Sequence, residues 1–181
     1  MLRQSEKLAT LGKLSAGMAH ELNNPAAAAQ RGAEQLRGAI SQLWRVQFEL
    51  GASSLSQAQV DALATLDQRV AGGAGQPAGL DTLARSNREY EIESWLEDKG
   101  VEDAWELAPM LVNMGFDPGS LAGLRRIFTA GQFPKVVASL CSLYTTHALL
   151  EEIGHGAGRI AGSVKALKSY TSTWTRRRSR T

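Results

Sequence analysis

The residues best suited to carry chemistry in this sequence are His20 and Glu21, which are adjacent in the segment MAHELNNP, residues 18–25. A neutral imidazole keeps a lone pair on one ring nitrogen near neutral pH, so it can accept a phosphoryl group. It becomes more basic when its other nitrogen donates a proton to a carboxylate. The pair could therefore support phosphoryl transfer, but a His-Glu dipeptide is common, and a lone histidine on a helix is usually a solvated residue.

Asn24 and Pro25 complete this segment. On a helix, Asn24 lies one turn beyond His20 on the same face, where its amide could orient a phosphate oxygen or a water molecule. Pro25 cannot donate a hydrogen bond to the carbonyl of Glu21, so the pattern predicts a bend in the helix just beyond the histidine. The other two histidines of the chain have no such setting and are interpreted as solvated residues.

The composition favours a helical domain with a single core. The chain has 181 residues, of which 43% are hydrophobic and only 6% aromatic, and this balance suits helix packing better than a β-sandwich. Its single cysteine, Cys141, lies in the apolar stretch VVASLCSLY. An intramolecular disulfide and a cysteine-built metal site are therefore excluded, and Cys141 is predicted to be a small core residue.

Charge is distributed unevenly along the chain. The net charge is +2, but the C-terminal stretch TWTRRRSRT contains four arginines and no acidic residue. Without those four arginines the 20 basic residues fall to 16, against 18 acidic ones, so the body of the chain has no electrostatic footprint for nucleic acid. No apolar run reaches the ~20 residues of a membrane span, and the N-terminus has no hydrophobic secretory segment. We therefore expect a cytoplasmic protein.

Two long helices are predicted from the spacing of apolar residues. Residues 4 to about 50 carry a narrow stripe at three- and four-residue steps, close to the heptad spacing of a helical bundle. A second stripe of this kind runs from Leu149 to Leu167. Four glycines weaken the second helix, so tertiary packing must hold it, and small residues there let helices approach closely. The first stripe comprises Leu8, Leu11, Ser15, Met18, Leu22, Pro25, Ala29, Leu36, Ile40 and Leu43.

The segment between the long helices is also predicted to be helical. A helix with a serine cap covers residues 54–72, a flexible loop GGAGQPAG follows, and an amphipathic helix runs to Gly100. Two shorter helices joined by a GFDPG turn come next, and a last helical segment leads into the second long helix without a break. In the amphipathic helix, the positions predicted to be buried are Leu80, Leu83, Tyr90, Trp95 and Leu96.

The predicted architecture is all-α: a long antiparallel helical hairpin that dimerises into a four-helix bundle, with a helical insertion subdomain between the two long helices. A homodimer is expected because a single two-helix hairpin cannot cover both stripes. The tail could be disordered, and a frameshift, a vector-derived tail and a natural basic tail remain open as its origin. The predicted domains are residues 1–50, the first bundle helix; 51–145, the insertion; 146–172, the second bundle helix; and 173–181, the basic tail.

Two stretches of the chain resemble a known family. KLATLGKLSAGMAHELNNPAAAAQRGAEQL resembles the H-box of bacterial sensor histidine kinases, and LLEEIGHGAGRIAGSVKALKSYT resembles the second helix of the same dimerisation and phosphoacceptor domain. The middle of the chain is similar to an insertion found in a subset of these kinases. In that subset a cyclic-nucleotide-binding-like domain often precedes the H-box.

The resemblance implies a role for each residue of the His-Glu segment. His20 would be the phosphoacceptor, Glu21 the acid/base partner in autophosphorylation, and Asn24 the polar residue used when phosphate is removed from the response regulator. Pro25 would be the kink through which a signal passes. The implied partners are a second copy of the chain, the receiver domain of a response regulator, and an ATP-binding kinase domain in cis or in trans.

The sequence contains no recognisable cofactor site. No asparagine-bearing helix or glycine-rich loop of an ATP-binding domain follows Thr171, and neither GxxxxGKS nor GxxxxGKT occurs, so ATP and Mg²⁺ would be bound by a missing domain. We expect that the chain does not phosphorylate itself alone. The alternative function is a catalytically inert dimeric helical scaffold or interaction protein. A nucleic-acid binder that uses the arginine tail is disfavoured by the acidic body.

Overall fold

Helices make up nearly all of the chain in the computed structural model. The structure describes the backbone of residues 2–72 and 80–178, and the side chains of residues 17–72 and 80–169 except 18, 19 and 167. No strand occurs within these residues, which confirms the all-α prediction. The helices are α1 (Leu2–Gly51), α2 (Gln57–Ala71), α3 (Thr82–Asp98), α4 (Ala104–Asn113), α5 (Pro118–Ile127) and α6 (Phe133–Arg178).

Local hydrogen bonds explain where the short helices begin. Ser56 begins α2 through a capping box in which its backbone N–H donates to the Gln59 side chain at 3.0 Å and its hydroxyl accepts from the Gln59 N–H. Asp117 caps α5 in the same way with Ser120, and Pro118 occupies the first turn. These caps satisfy amide groups that have no partner within their own helix. A serine does cap α2, but it is Ser56 and not Ser54, the residue at which the predicted helical segment begins.

The chain divides into two compact units. Residues 1–36 and 149–181 form the first unit, and residues 37–148 form the second. The second unit is larger than the predicted insertion 51–145, because it also includes residues 37–50 of α1, among which Leu50 belongs to its core, and residues 146–148 of α6. Residues 173–178 of the predicted tail are helical and belong to α6, while 179–181 lie outside the described residues.

The core of the second unit is built mainly from aliphatic side chains and phenylalanines. The Trp95 indole packs edge-on against the Phe133 ring, with the ring centroids 5.7 Å apart. Cys141 is buried at 2% exposure, as predicted. The largest fully buried side chains are those of Leu50, Ile92, Leu96, Leu111, Val112, Leu121, Phe128, Phe133, Val136 and Val137.

The buried face of α3 differs from the prediction. Leu83 and Tyr90 are 71% and 73% exposed, and Leu80 is also exposed, so their predicted burial was wrong. The burial predicted for Leu96 is confirmed, and the helix also buries Ile92, both at 0% exposure. Ile92 and Leu96 are one turn apart and face the core, whereas Leu83 and Tyr90 are two turns apart on another face.

A buried glutamine joins three segments of the second unit. The Gln132 side-chain amide donates to the Ser53 carbonyl at 3.1 Å, and its Oε1 accepts from the Thr129 N–H and from Gln59 Nε2, both at 3.0 Å. Gln59 Nε2 also donates to the Ile127 carbonyl at 2.9 Å. Both polar atoms of the Gln132 side-chain amide have hydrogen-bond partners. These bonds offset the free energy that is lost when the amide is removed from water, so the residue can be buried.

In the first unit, α1 and α6 pass each other in opposite directions. The Pro25 carbonyl and Ala29 in α1 lie against Gly156 of α6, and Gly32 lies against Ile153. A higher residue number in α1 thus pairs with a lower one in α6, which defines an antiparallel pair. Gly32 and Gly156 are both buried, and the absence of a Cβ at each lets the two backbones approach closely.

Candidate functional site

His20, Glu21 and Asn24 are all exposed, whereas Pro25 is buried. They lie on α1, which continues as a helix through Pro25 to Gly51. The bend at Pro25 remains a prediction.

The contact between Pro25 and Gly156 explains why these polar side chains remain in solvent. Each residue of an α-helix is rotated by about 100° from the one before it. Around the axis of α1, Glu21 therefore lies about 40° from Pro25, Asn24 about 100° and His20 about 140°. All three are rotated from Pro25 in the same direction. The three side chains therefore lie on the same side of the contact with α6.

Arg159 belongs to the same side of the helix pair, although the sequence analysis did not single it out. Arg159 follows Gly156 by three residues, so it lies about 60° around α6 from the contact with Pro25. This rotation has the same sense as the rotation from Pro25 to Glu21 on α1. In an antiparallel pair of right-handed helices, equal senses of rotation lead to the same side. Arg159 lies about 4.5 Å along the axis from the contact, and His20 about 7.5 Å in the same direction. We call His20, Glu21, Asn24 and Arg159 the polar flank.

The side chains of the polar flank do not contact one another through hydrogen bonds in the structure. Within the described residues, Glu21, Asn24 and Arg159 take part in none of the side-chain hydrogen bonds or ion pairs, and the His20 imidazole does not bind the Glu21 carboxylate. Arg159 is exposed. These groups are therefore available to a molecule that approaches from solvent. No local signal in the sequence reveals Arg159, because its place depends on the register between α1 and α6.

The opposite side of the same helix pair carries several apolar side chains. On α1, Leu22 lies about 60° and Ala33 about 80° from Pro25, both rotated in the direction opposite to Glu21. On α6, Val164 lies about 80° from Gly156, rotated in the direction opposite to Arg159. Leu150 belongs to this side too. Leu150 and Val164 are 50% and 38% exposed. We call Leu22, Ala26, Ala33, Leu150, Ala157 and Val164 the apolar flank.

Among the residues that the structure describes, no group of three or more His, Cys, Asp or Glu side chains could hold a metal ion. Across the same part of the chain, no helix combines the length and apolar character that crossing a bilayer requires.

The chain was also compared with known proteins. No family model, no curated protein and no solved structure matches it.

Proposed function

We propose that this chain is the dimerisation and phosphoacceptor module of a two-component sensor histidine kinase. The observation that carries the proposal is an exposed His20 directly before an exposed Glu21, in an H-box-like segment on a long helix that packs on a second, antiparallel helix. An isolated solvated histidine would not need this setting. The proposal covers the function of the first unit and leaves the second unit to be explained.

The reaction would proceed in two transfers. A ring nitrogen of His20 attacks the γ-phosphorus of ATP, an N–P bond forms, the bond to the bridging oxygen breaks, and ADP leaves. The receiver aspartate of a response regulator then attacks the same phosphorus, and the N–P bond breaks. ATP and Mg²⁺ would be held by an ATP-binding kinase domain acting in cis or in trans.

Each residue of the polar flank would have a separate task. Glu21 would accept the proton that His20 loses on attack. Asn24 would orient the water that hydrolyses the phosphorylated receiver. Arg159 would lie near the transferred phosphoryl group, where a guanidinium can form charge-assisted hydrogen bonds to phosphate oxygens. Pro25 would let the helix bend in response to an upstream signal.

The apolar flank supports a homodimer in this proposal. Two copies that bring these flanks together would form a four-helix bundle and would remove Leu150 and Val164 from water. His20 would then stay on the outside, because the polar and apolar flanks face opposite sides of the helix pair.

The test is transfer of labelled phosphate to His20. The chain is incubated with radiolabelled ATP and Mg²⁺ together with a separately produced ATP-binding domain of a histidine kinase, and in a second assay with a phosphorylated receiver domain. We expect acid-labile label on the chain in at least one assay and none with ATP alone. The label should vanish in His20→Gln and persist in His155→Gln, which changes another exposed histidine of the first unit.

Two outcomes would favour the alternative, a dimeric scaffold without phosphotransfer. One is a stable dimer that acquires no label from either donor. The other is label that remains in His20→Gln, because the phosphate would then be held by another residue.

A further inference from the structure

The second unit contains a cavity of about 610 Å³ between the end of α1, the segment that precedes α4, α4 itself and the beginning of α6. Its floor is apolar, because Val46, Val101 and Cys141 line it and are exposed by only 5%, 6% and 2%. Met110 and Ala138 form part of its walls. A volume of this size lies within the range of about 300–1,000 Å³ that is usual for small-molecule sites.

The mouth of the cavity is acidic. Glu49, Glu102, Asp103 and Glu106 line it, and all four are exposed. Lys135 is the cationic side chain among the described lining residues, and its ammonium group donates to the Glu49 carbonyl oxygen at 3.4 Å and to Ser53 Oγ at 3.2 Å. The lysine is thus engaged at the α1 end of the cavity.

None of the four carboxylates has an ion-pair partner in the described part of the chain. The ion pairs there join Arg85 to Glu89 and Arg88 to Glu91 and Asp117, and Lys135 contacts Glu49 through its main-chain carbonyl only. An unpaired set of carboxylates above an apolar floor favours a cation with an apolar body. It disfavours an anion, which the carboxylates would repel.

We propose that this cavity binds a small organic cation, an ammonium or guanidinium group carried on an aromatic or branched aliphatic body. The body would fill the space above Val46, Val101 and Cys141, and the cationic head would lie among Glu102, Asp103 and Glu106. Charge complementarity at the mouth and hydrophobic burial at the floor thus select the same class of molecule. The proposal is independent of phosphotransfer at His20.

The cysteine in the floor contributes surface rather than reactivity. Burial raises the pKa of the Cys141 thiol from its ordinary value of 9.0 to about 12, so the group stays protonated at neutral pH and behaves as a small apolar side chain. A covalent adduct is therefore not part of the proposal.

The test compares three probes of similar size and different charge: 4-phenylbutylammonium, 4-phenylbutanol and 4-phenylbutyrate. Each is titrated into the full-length chain, and binding is followed by calorimetry and by NMR of the Met110 and Val46 methyl groups. We expect the ammonium probe to bind about tenfold more tightly than the alcohol, since several solvent-exposed charge contacts each contribute a modest factor. The carboxylate probe should bind most weakly.

Two variants locate the site. Glu102→Gln with Glu106→Gln should bring the affinity for the ammonium probe close to that for the alcohol, whereas Glu93→Gln with Glu97→Gln on α3 should change neither. Ala138→Leu should fill the cavity and abolish binding of all three probes, with Ala58→Leu on the exposed face of α2 as its control. Circular dichroism checks that each variant remains folded.

Three results would overturn the proposal. They are equal affinity for the ammonium and the alcohol, shifts confined to methyl groups outside the cavity, and no binding of the ammonium probe. If pentalysine binds where 4-phenylbutylammonium does not, the mouth is an acidic surface for basic peptides and the cavity has no part in recognition.

Discussion

The carbonyl oxygen of Pro25 lies so close to Gly156 that a Cβ added to the glycine would stand 3.0 Å from it, and 3.2 Å from the Cβ of Ala29. This contact joins the proline of the H-box-like segment directly to α6. The proline that interrupts the hydrogen bonding of α1 is therefore also the residue on which the second helix packs. A change in this contact should reach His20, which lies only five residues before Pro25.

The first prediction concerns the glycine of this contact. Gly156→Ala gains helix propensity, but its methyl group must displace backbone atoms of α1, and overpacking of this kind costs about 1–3 kcal/mol. Gly158→Ala gains the same propensity without a clash, because no atom lies within 4 Å of the Cβ it would add. We expect Gly156→Ala to be less stable than Gly158→Ala by about 1 kcal/mol or more in urea unfolding. Equal stability of the two variants would show that the helices are not held at this distance.

The second prediction concerns the buried amide of the second unit. Gln132→Leu leaves the Ser53 carbonyl and the Thr129 N–H without their partner, and an unsatisfied buried polar group costs about 1–3 kcal/mol. Gln57→Leu removes a hydrogen bond to Asp61 at the exposed surface, so it should cost only a few tenths of a kcal/mol. Chemical denaturation of both variants measures the difference. Similar stabilities would mean that water replaces the lost partners of Gln132.

The third prediction follows from the cap of α5. The N–H of Ser120 donates to the Asp117 carboxylate at 2.7 Å, and this bond, with a further one from the Ser120 hydroxyl and the charge of Arg88, holds the pKa of Asp117 below its ordinary value of 3.8. A carboxyl whose pKa is depressed on folding stabilises the protein fully above its unfolded pKa and loses that effect as the pH falls through the folded pKa. Asp117→Ala should therefore cost about 1 kcal/mol at pH 7 and less at pH 2–3.

The control for this pH dependence is Ser56→Ala, which removes the uncharged cap of α2. Its cost in unfolding free energy should be similar at pH 7 and at pH 2–3, because a serine hydroxyl carries no charge in this range. A constant difference between wild type and Asp117→Ala from pH 7 to pH 2 would contradict the role given to the charged cap.

Some parts of this structure could be predicted from the sequence because local signals determine them. The GFDPG turn, the span of α1 and a serine cap for α2 depend on residues that are close together in the chain, although the cap is Ser56 and not Ser54. The burial of Leu83 and Tyr90 could not be predicted, because an apolar residue is buried only if another element covers it, and no local signal shows which face of α3 is covered. The place of Arg159 on the same side of the helix pair as His20 was missed for the same reason: it depends on the register between α1 and α6, which the contact at Gly156 sets.

The fourth prediction concerns assembly. If two copies associate through the apolar flank, Leu150→Asp should weaken the dimer, because it places a charge in the interface. Leu83→Asp changes a residue that is more exposed and lies in the second unit, so it should leave the dimer intact. Light scattering at micromolar concentration should give twice the chain mass of 19.5 kDa for the wild type. A wild-type chain that is monomeric throughout this range would refute the four-helix bundle.

The last prediction separates the task of Arg159 from that of His20. If the guanidinium binds phosphate oxygens during transfer, Arg159→Gln should slow labelling of His20 by about tenfold, the effect of losing ~1.4 kcal/mol of transition-state stabilisation. Arg159→Lys should recover part of the rate because it keeps the charge. Arg31→Gln is the matched control: Arg31 is exposed on the same side of α1 but lies about 9 Å from the Pro25 contact in the direction away from His20. The mass of the dimer should be the same in all three variants.

If His20 is labelled at the wild-type rate in Arg159→Gln, the arginine has no part in the transfer, whereas phosphotransfer at His20 would still stand. Loss of label only in His20→Gln would then leave Glu21 and Asn24 as the residues that assist the histidine.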